Sequence, residues 1–158
     1  MRISSLAALL ILPLFGNSCM PTAYKSTLDP LALQALQTQD FETSKKIAFA
    51  ATVSVFQDLG YILEDADLAT GFITASGATQ SRSDKWKDGS HQITPKATAF
   101  LEGIRPRFTT IRLNFTETRI FRDGHTVRET ATPNEDPAFY DDMFTKIGEA
   151  IFIRSASE

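Results

Sequence analysis

From Ser44 onward apolar residues crowd one broad side of a 3.6-residue wheel. Ile47, Ala48, Phe49, Ala51, Val53, Val55, Phe56 and Leu59 lie against a narrow stripe of Lys46, Ala50, Ser54 and Gln57. The spacing predicts a helix over residues 44–59, capped by Thr43 or Ser44 and stopped by Gly60 in the left-handed position after its end. A helix this apolar needs a large flat partner, most simply a sheet. Strand signals follow at 61–65 and 71–76 on either side of a polar turn, with Leu63, Phe72 and Ile73 as anchors. They resume at 97–102 and 108–121, where Ile111, Leu113 and Phe115 alternate with Arg112, Asn114 and Thr116, the pattern of an antiparallel strand with one wet side. Asp123-Gly124 predicts a tight hairpin returning the chain through residues 125–131.

The last element starts with Asp136 as N-cap and Pro137 in the first helical position, with Asp141 and Asp142 near the positive end of the dipole. Tyr140, Met143, Phe144, Ile147 and Ile151 recur at intervals of three and four and predict its buried stripe. Residues 33–41 are weakly patterned and read as an entry strand. Residues 77–96 are polar apart from Trp86 and Ile93 and read as a long loop, mobile or functional. The order predicts an α+β domain of two layers: a curved antiparallel sheet of about five to six strands with two helices packed on one face.

At 158 residues the chain has room for one such core. With 42% apolar and 22% charged residues it is neither a disordered polyelectrolyte nor a coiled coil. Its one long apolar run, residues 6–15, is about half a bilayer span and excludes a transmembrane helix on length. Preceded by Arg2 and followed by Gly16-Asn17-Ser18, the run reads as the core of an export signal, residues 1–18. Cys19, the single cysteine, then stands where a lipobox cysteine is acylated, although Gly16 occupies the place usually held by an aliphatic residue. Acyl chains there would anchor the protein stably to a membrane. Cleavage by the ordinary signal peptidase is the alternative, and would leave a soluble periplasmic or secreted chain. Residues 19–32 read as a lipidated tether and 33–158 as the domain. Met20 rather than aspartate follows the cysteine, which by the enterobacterial sorting pattern it resembles favours the outer membrane, facing the periplasm.

The block from Val53 to Ile62, followed by Asp65, Asp67, Gly71, Phe72 and Ile73, resembles the repeated domain of BamC (NlpB), an outer-membrane lipoprotein of the β-barrel assembly machinery. It resembles more closely a group of small uncharacterised proteobacterial outer-membrane lipoproteins that share a Gln-Asp-Leu-Gly helix end and a C-terminal Asp-Pro-x-x-Tyr helix. Here these are Gln57 to Gly60 and Asp136 to Tyr140, and the matching blocks cover residues 36–76 and 111–153. The resemblance implies a periplasm-facing lipoprotein. BamC carries two such domains and this chain one, so a role in barrel assembly does not carry over.

Charge is uneven. Residues 82–128 hold ten Lys/Arg against five Asp/Glu, whereas 19–81 hold three against seven and 129–158 two against seven. The basic middle nominates Lys85, Trp86, Lys87, Arg105, Arg107 and Arg112 as a surface for an acidic partner protein, lipid phosphates or a glycan. The alternative is a solvated sheet face whose arginines pair with Glu117 and Glu129. Nucleic acid does not suit an exported, acidic chain. Glu64, Asp65, Asp67 and Gly71 lack the alternating oxygens of a calcium loop and read as a solvated turn. His91 and His125 lack ligand-spaced companions, so no metal and no cofactor is expected. No serine-nucleophile or phosphate-loop motif is present. The expectation is a non-enzymatic adaptor or accessory subunit of an envelope assembly or transport complex. The alternative is a carrier or sensor of a small amphiphile held between sheet and helices by Phe49, Phe56 and Phe115.

Overall fold

A computed structural model describes residues 26–84, 89–123 and 126–156. The elements in chain order are α1 (Pro30–Leu36), β1 (Thr38–Phe41), α2 (Lys45–Asp58), β2 (Ile62–Asp67), β3 (Phe72–Ser76), β4 (Gln80–Asp84), β5 (Gly89–Arg105), β6 (Phe108–Asp123), β7 (Thr126–Pro133) and α3 (Pro137–Ser155). The architecture is the α+β arrangement expected: one antiparallel sheet, here of seven strands, with α2 and α3 on one face and a short third helix, α1. The expected signal peptide, Cys19 and most of the tether lie outside the described residues.

The backbone of the sheet is the β5–β6 hairpin, whose strands of 17 and 16 residues pair from Gly89↔Asp123 to Arg105↔Phe108. At about 3.3 Å per residue this ribbon is roughly 50 Å long. Each outer edge carries two strands end to end. Along β5, β3 covers residues 96–100 and β4 covers 89–93; along β6, β1 covers 109–112 and β7 covers 116–123. β2 extends the sheet beyond β3.

The helices cover only the half of the ribbon that carries β1, β2 and β3. There Ile73, Ala75, Leu101, Ile111, Leu113 and Phe115 are buried beneath Ala48, Ala51, Val55 and Phe56 of α2 and the stripe of α3. α3 buries Tyr140, Met143, Phe144, Ile147 and Ile151, all five positions of the predicted stripe. α2 ends as its sequence dictates. Gly60 takes φ +82°, its N–H donates to the Gln57 carbonyl at 2.9 Å and that of Tyr61 to the Phe56 carbonyl at 2.9 Å. This is the paired 5→2 and 6→1 closure of a Schellman cap.

Two sequence expectations are corrected. Residues 33–41 are not one strand: α1 opens at Pro30, its N–H of Leu31 held by the Asp29 carboxylate, and only Thr38–Phe41 is extended. Asp29-Pro30 is the same N-cap device as Asp136-Pro137, but α1 buries no side chain, so no apolar stripe announces it. The expected long loop at 77–96 is largely sheet, with β4 and the first part of β5 inside it. Among the described residues no helix covers that end of the ribbon, so its strands are held by ladder hydrogen bonds and show no apolar alternation.

Candidate functional site

Of the six residues nominated for a basic partner surface, the three that are described, Arg105, Arg107 and Arg112, do not form one patch. Lys85, Trp86 and Lys87 lie outside the described residues, but the strands they join, β4 and β5, adjoin them at Asp84 and Gly89, opposite Asp123. Arg105 and Arg107 belong to the turn at the other end of the same ribbon. There Arg105 stacks over the Phe108 ring at 4.9 Å, and both arginines line a shallow cleft of about 440 Å³ with Glu42 and Phe108. Arg112 stands midway, reaching the Gln37 side chain at 3.5 Å. A charge bias spread along one long hairpin reads as a patch in sequence and is dispersed in space. The expected cross-strand pairing of arginines with Glu117 and Glu129 is not what the neighbouring arginines show: Arg119 pairs within its own strand with Glu117 at 2.9 Å, and Arg122 donates to Gln92 at 2.7 Å.

What the ladder does assemble around Arg112 is a row across the sheet face turned away from the helices. Asp67, Phe72, Phe100, Arg112 and Thr38 stand side by side on β2, β3, β5, β6 and β1. The Phe72 and Phe100 rings are stacked with centroids 4.7 Å apart, and Phe72 is 52% exposed. Ile62, 70% exposed, and the Thr74–Thr98–Asn114 row extend the same face. Lys96, Asp40, Asp65 and Glu102 give it a rim of mixed sign, because the register shift between Leu63 and Asp65 turns Asp65 and Asp67 outward beside Thr74 and Phe72. The sequence signal for this face is the pair Phe72-Ile73: consecutive strand residues point to opposite sides, so only one of them enters the core.

The turn that leads into β3 is built around Asp67. Its carboxylate accepts from the N–H of Ala69 at 2.8 Å, the N–H of Thr70 at 3.3 Å and the Thr70 hydroxyl at 2.9 Å. The Ala69 bond first, then the Thr70 hydroxyl, hold this carboxyl below the usual aspartate range. Among the described residues no group of His, Cys, Asp and Glu clusters to hold a metal ion.

A second concavity lies on the helix side, where the helical layer stops and the ribbon runs on bare. It is a cleft of about 490 Å³ walled by Tyr61, Phe115 and Phe139, floored by Pro95, Glu117 and Thr132, and rimmed by Glu135 and Asp136. The Schellman cap places Tyr61 on Phe56, with ring centroids 6.0 Å apart. Phe115 packs edge-on to Phe56 at 5.8 Å and to Phe139 at 4.9 Å, and lies 6.1 Å from Tyr61. Burial, and secondarily the charge of Glu117, push the Tyr61 phenol up. Glu135 is held down by the hydroxyls of Ser26 and then Thr27, and the Asp136 carboxylate caps α3 on the N–H of Ala138 at 3.0 Å. The amphiphile slot expected between the layers at Phe49, Phe56 and Phe115 is filled by the protein itself. Phe56 and Phe115 are buried against each other and Phe49 packs on the same core. Of the three, Phe115 is the one that lines the cleft.

No family model matches the chain, and no curated protein matches it. Among solved structures it is similar to a DUF4468 family protein from Bacteroides ovatus, at 14% identity over 72% of this chain and 84% of that one, with a TM-score of 0.40. It is also similar to a TBP-like protein from Parabacteroides distasonis, at 14% identity over 72% of this chain and 90% of that one, with a TM-score of 0.38. Among the described residues no helix is long and apolar enough to cross a membrane.

Proposed function

We propose that the chain is a non-enzymatic adaptor of the bacterial envelope, anchored through Cys19 to the outer membrane on its periplasmic side, whose open sheet face receives a partner protein. The observation that carries the reading is the row Phe72–Phe100–Arg112 on a face that no helix covers among the described residues. A stacked aromatic pair with an arginine beside it and a polar, mixed-charge surround has the anatomy of a protein interface, an apolar centre within a wet rim. The resemblance to small outer-membrane lipoproteins supports the anchoring half of the reading.

The experiment is photocrosslinking in cells from position 72, with position 149 on the outer surface of α3 as the comparison. A discrete adduct from 72 that disappears with Arg112→Glu supports the interface; equal capture from both positions, or none from 72, overturns it. Cys19→Ser should move the protein from the membrane to the soluble fraction, and continued membrane fractionation counts against the anchor.

A further inference from the structure

The cleft at the end of the helical layer has a lining chemistry that the adaptor reading does not use. Among the described residues that line it are the rings of Tyr61 and Phe139, the largely buried Phe115, three carboxylates, two prolines and no lysine or arginine. Its volume, about 490 Å³, falls among small-ligand pockets, which span roughly 300–1,000 Å³. We propose that this cleft is a binding site for a small organic cation, an alkylammonium group seated against the rings of Tyr61 and Phe139, where they flank the buried Phe115, with its charge toward Glu117.

The electrostatics select that class. Aromatic faces carry the negative side of a ring quadrupole and attract a desolvated ammonium, most strongly where more than one ring is presented. The rings are fixed before any ligand arrives. Tyr61 is set by the helix cap on Phe56, and Phe139 stands three residues into α3, a helix whose start is fixed by the Asp136 cap and Pro137. Phe115 is locked in a strand and buried at its back, so little side-chain freedom remains to be lost on binding. The three acids are not equivalent. Glu135 already accepts from Ser26 and Thr27, and Asp136 from Ala138. Glu117 is engaged by Arg119 in a pair whose side chains are 51% and 58% exposed, and an exposed pair of this kind is weak. It is therefore the carboxylate free to exchange its partner for an incoming cation. Glu117 and Tyr61 line the same cleft, so this charge stands at the aromatic wall.

The same lining excludes neighbouring classes. A phosphate or carboxylate on the ligand at the Glu135–Asp136 rim would face two carboxylates, with no lysine or arginine among the described lining residues and Arg119 held at Glu117 instead, so the ligand carries net positive charge. A neutral alkyl group of equal shape would keep the ring contacts and forfeit the attraction of Glu117.

The test is a titration of the purified full-length chain in detergent, read by isothermal calorimetry and by the aromatic NMR resonances. The probes are choline, its uncharged isostere 3,3-dimethylbutan-1-ol, and phosphocholine. Choline should saturate the site and move the Tyr61 and Phe139 resonances, with the isostere and phosphocholine each weaker by about tenfold or more. Glu117→Gln lies on the exposed floor and should keep the fold, checked by its melting curve, while weakening choline by about tenfold. Phe139→Leu should weaken it while leaving the core filled. The proposal is overturned by equal binding of choline and its isostere, by Glu117→Gln without effect, by phosphocholine binding as tightly as choline, or by shifts that map elsewhere. Because this cleft lies on the opposite side of the sheet from Phe72, the outcome is independent of the partner interface.

Discussion

The phenolic oxygen of Tyr140 lies 3.4 Å from the backbone nitrogen of Phe115 and accepts its hydrogen. It also accepts from the Gln37 side-chain amide at 3.3 Å and donates to the carbonyl of Asn134 at 3.2 Å. This hydroxyl fills the gap on the edge of β6 where β1 has ended and β7 has not begun. On either side of it, Leu113 donates to the Gln37 carbonyl and Asn134 to that of Phe115, each at 2.8 Å. One fully buried side chain thus joins α3, the start of β1 and the strand that bears the cleft.

Tyr140→Phe should therefore cost about 2 kcal/mol, because it leaves buried donors without an acceptor while removing no apolar contact. Urea unfolding measures the loss, and amide exchange should speed up at Phe115 in particular. A variant as stable as the parent would show that the gap is closed by other means.

Two glycines share a positive φ but not a surrounding. Gly60, at φ +82°, has nothing within 4 Å of where a Cβ would stand, so Gly60→Ala should lose only the cost of the left-handed backbone, about 1 kcal/mol. Gly71, at φ +86°, has the Leu101 carbonyl oxygen 2.2 Å from that point, and its own carbonyl accepts from the Leu101 N–H. Gly71→Ala should cost on the order of 3 kcal/mol, since backbone must move. Equal losses in denaturant titrations would contradict this placement.

Phenylalanines on the two faces of the sheet layer should separate cleanly. Phe56→Ala opens a hole in the core and should cost about 3–5 kcal/mol. Phe72→Ala removes half of a cross-strand ring pair in water and should cost under about 1 kcal/mol. Chemical denaturation midpoints decide, and a large loss from Phe72→Ala would make that ring structural rather than a docking element.

The Asp67 carboxyl is held below its ordinary value of 3.8 in the folded chain. A group depressed in this way stabilises the fold fully above the unfolded value, and the contribution disappears as the pH falls below it and through the lowered folded one. Carboxyl-carbon NMR titration should give Asp67 a midpoint below the ordinary value, and Asp67→Asn should flatten the acid limb of stability between those two points. A midpoint at or above 3.8 would remove the three-bond turn from the account.

The two main helices were legible because each carries its own boundary chemistry beside a buried stripe. Ser44 and Gly60 bracket α2, and Asp136-Pro137 opens α3, while the apolar spacing between them needs no knowledge of the partner. β6 was legible for a related reason, since a strand with one buried face alternates in its own sequence. α1, β4 and the first part of β5 were not, because no described element buries their side chains in the core. Of the nominated basic residues that are described, sequence proximity grouped what a long hairpin holds apart, and Arg112 alone joins the open-face row.

The chain by itself determined the α+β class, the ends of its helices and which faces are apolar, since caps, glycine conformation and side-chain period are local properties. Only the tertiary structure decided that two short strands share each edge of the ribbon, that Phe72 and Phe100 stack in water, and that Tyr61, Phe115, Phe139 and Glu117 meet at one cleft. The cleft residues are brought together from three separate segments by strand register and by where the helices end. Such contacts are set by long-range pairing, which leaves no periodic trace in the sequence.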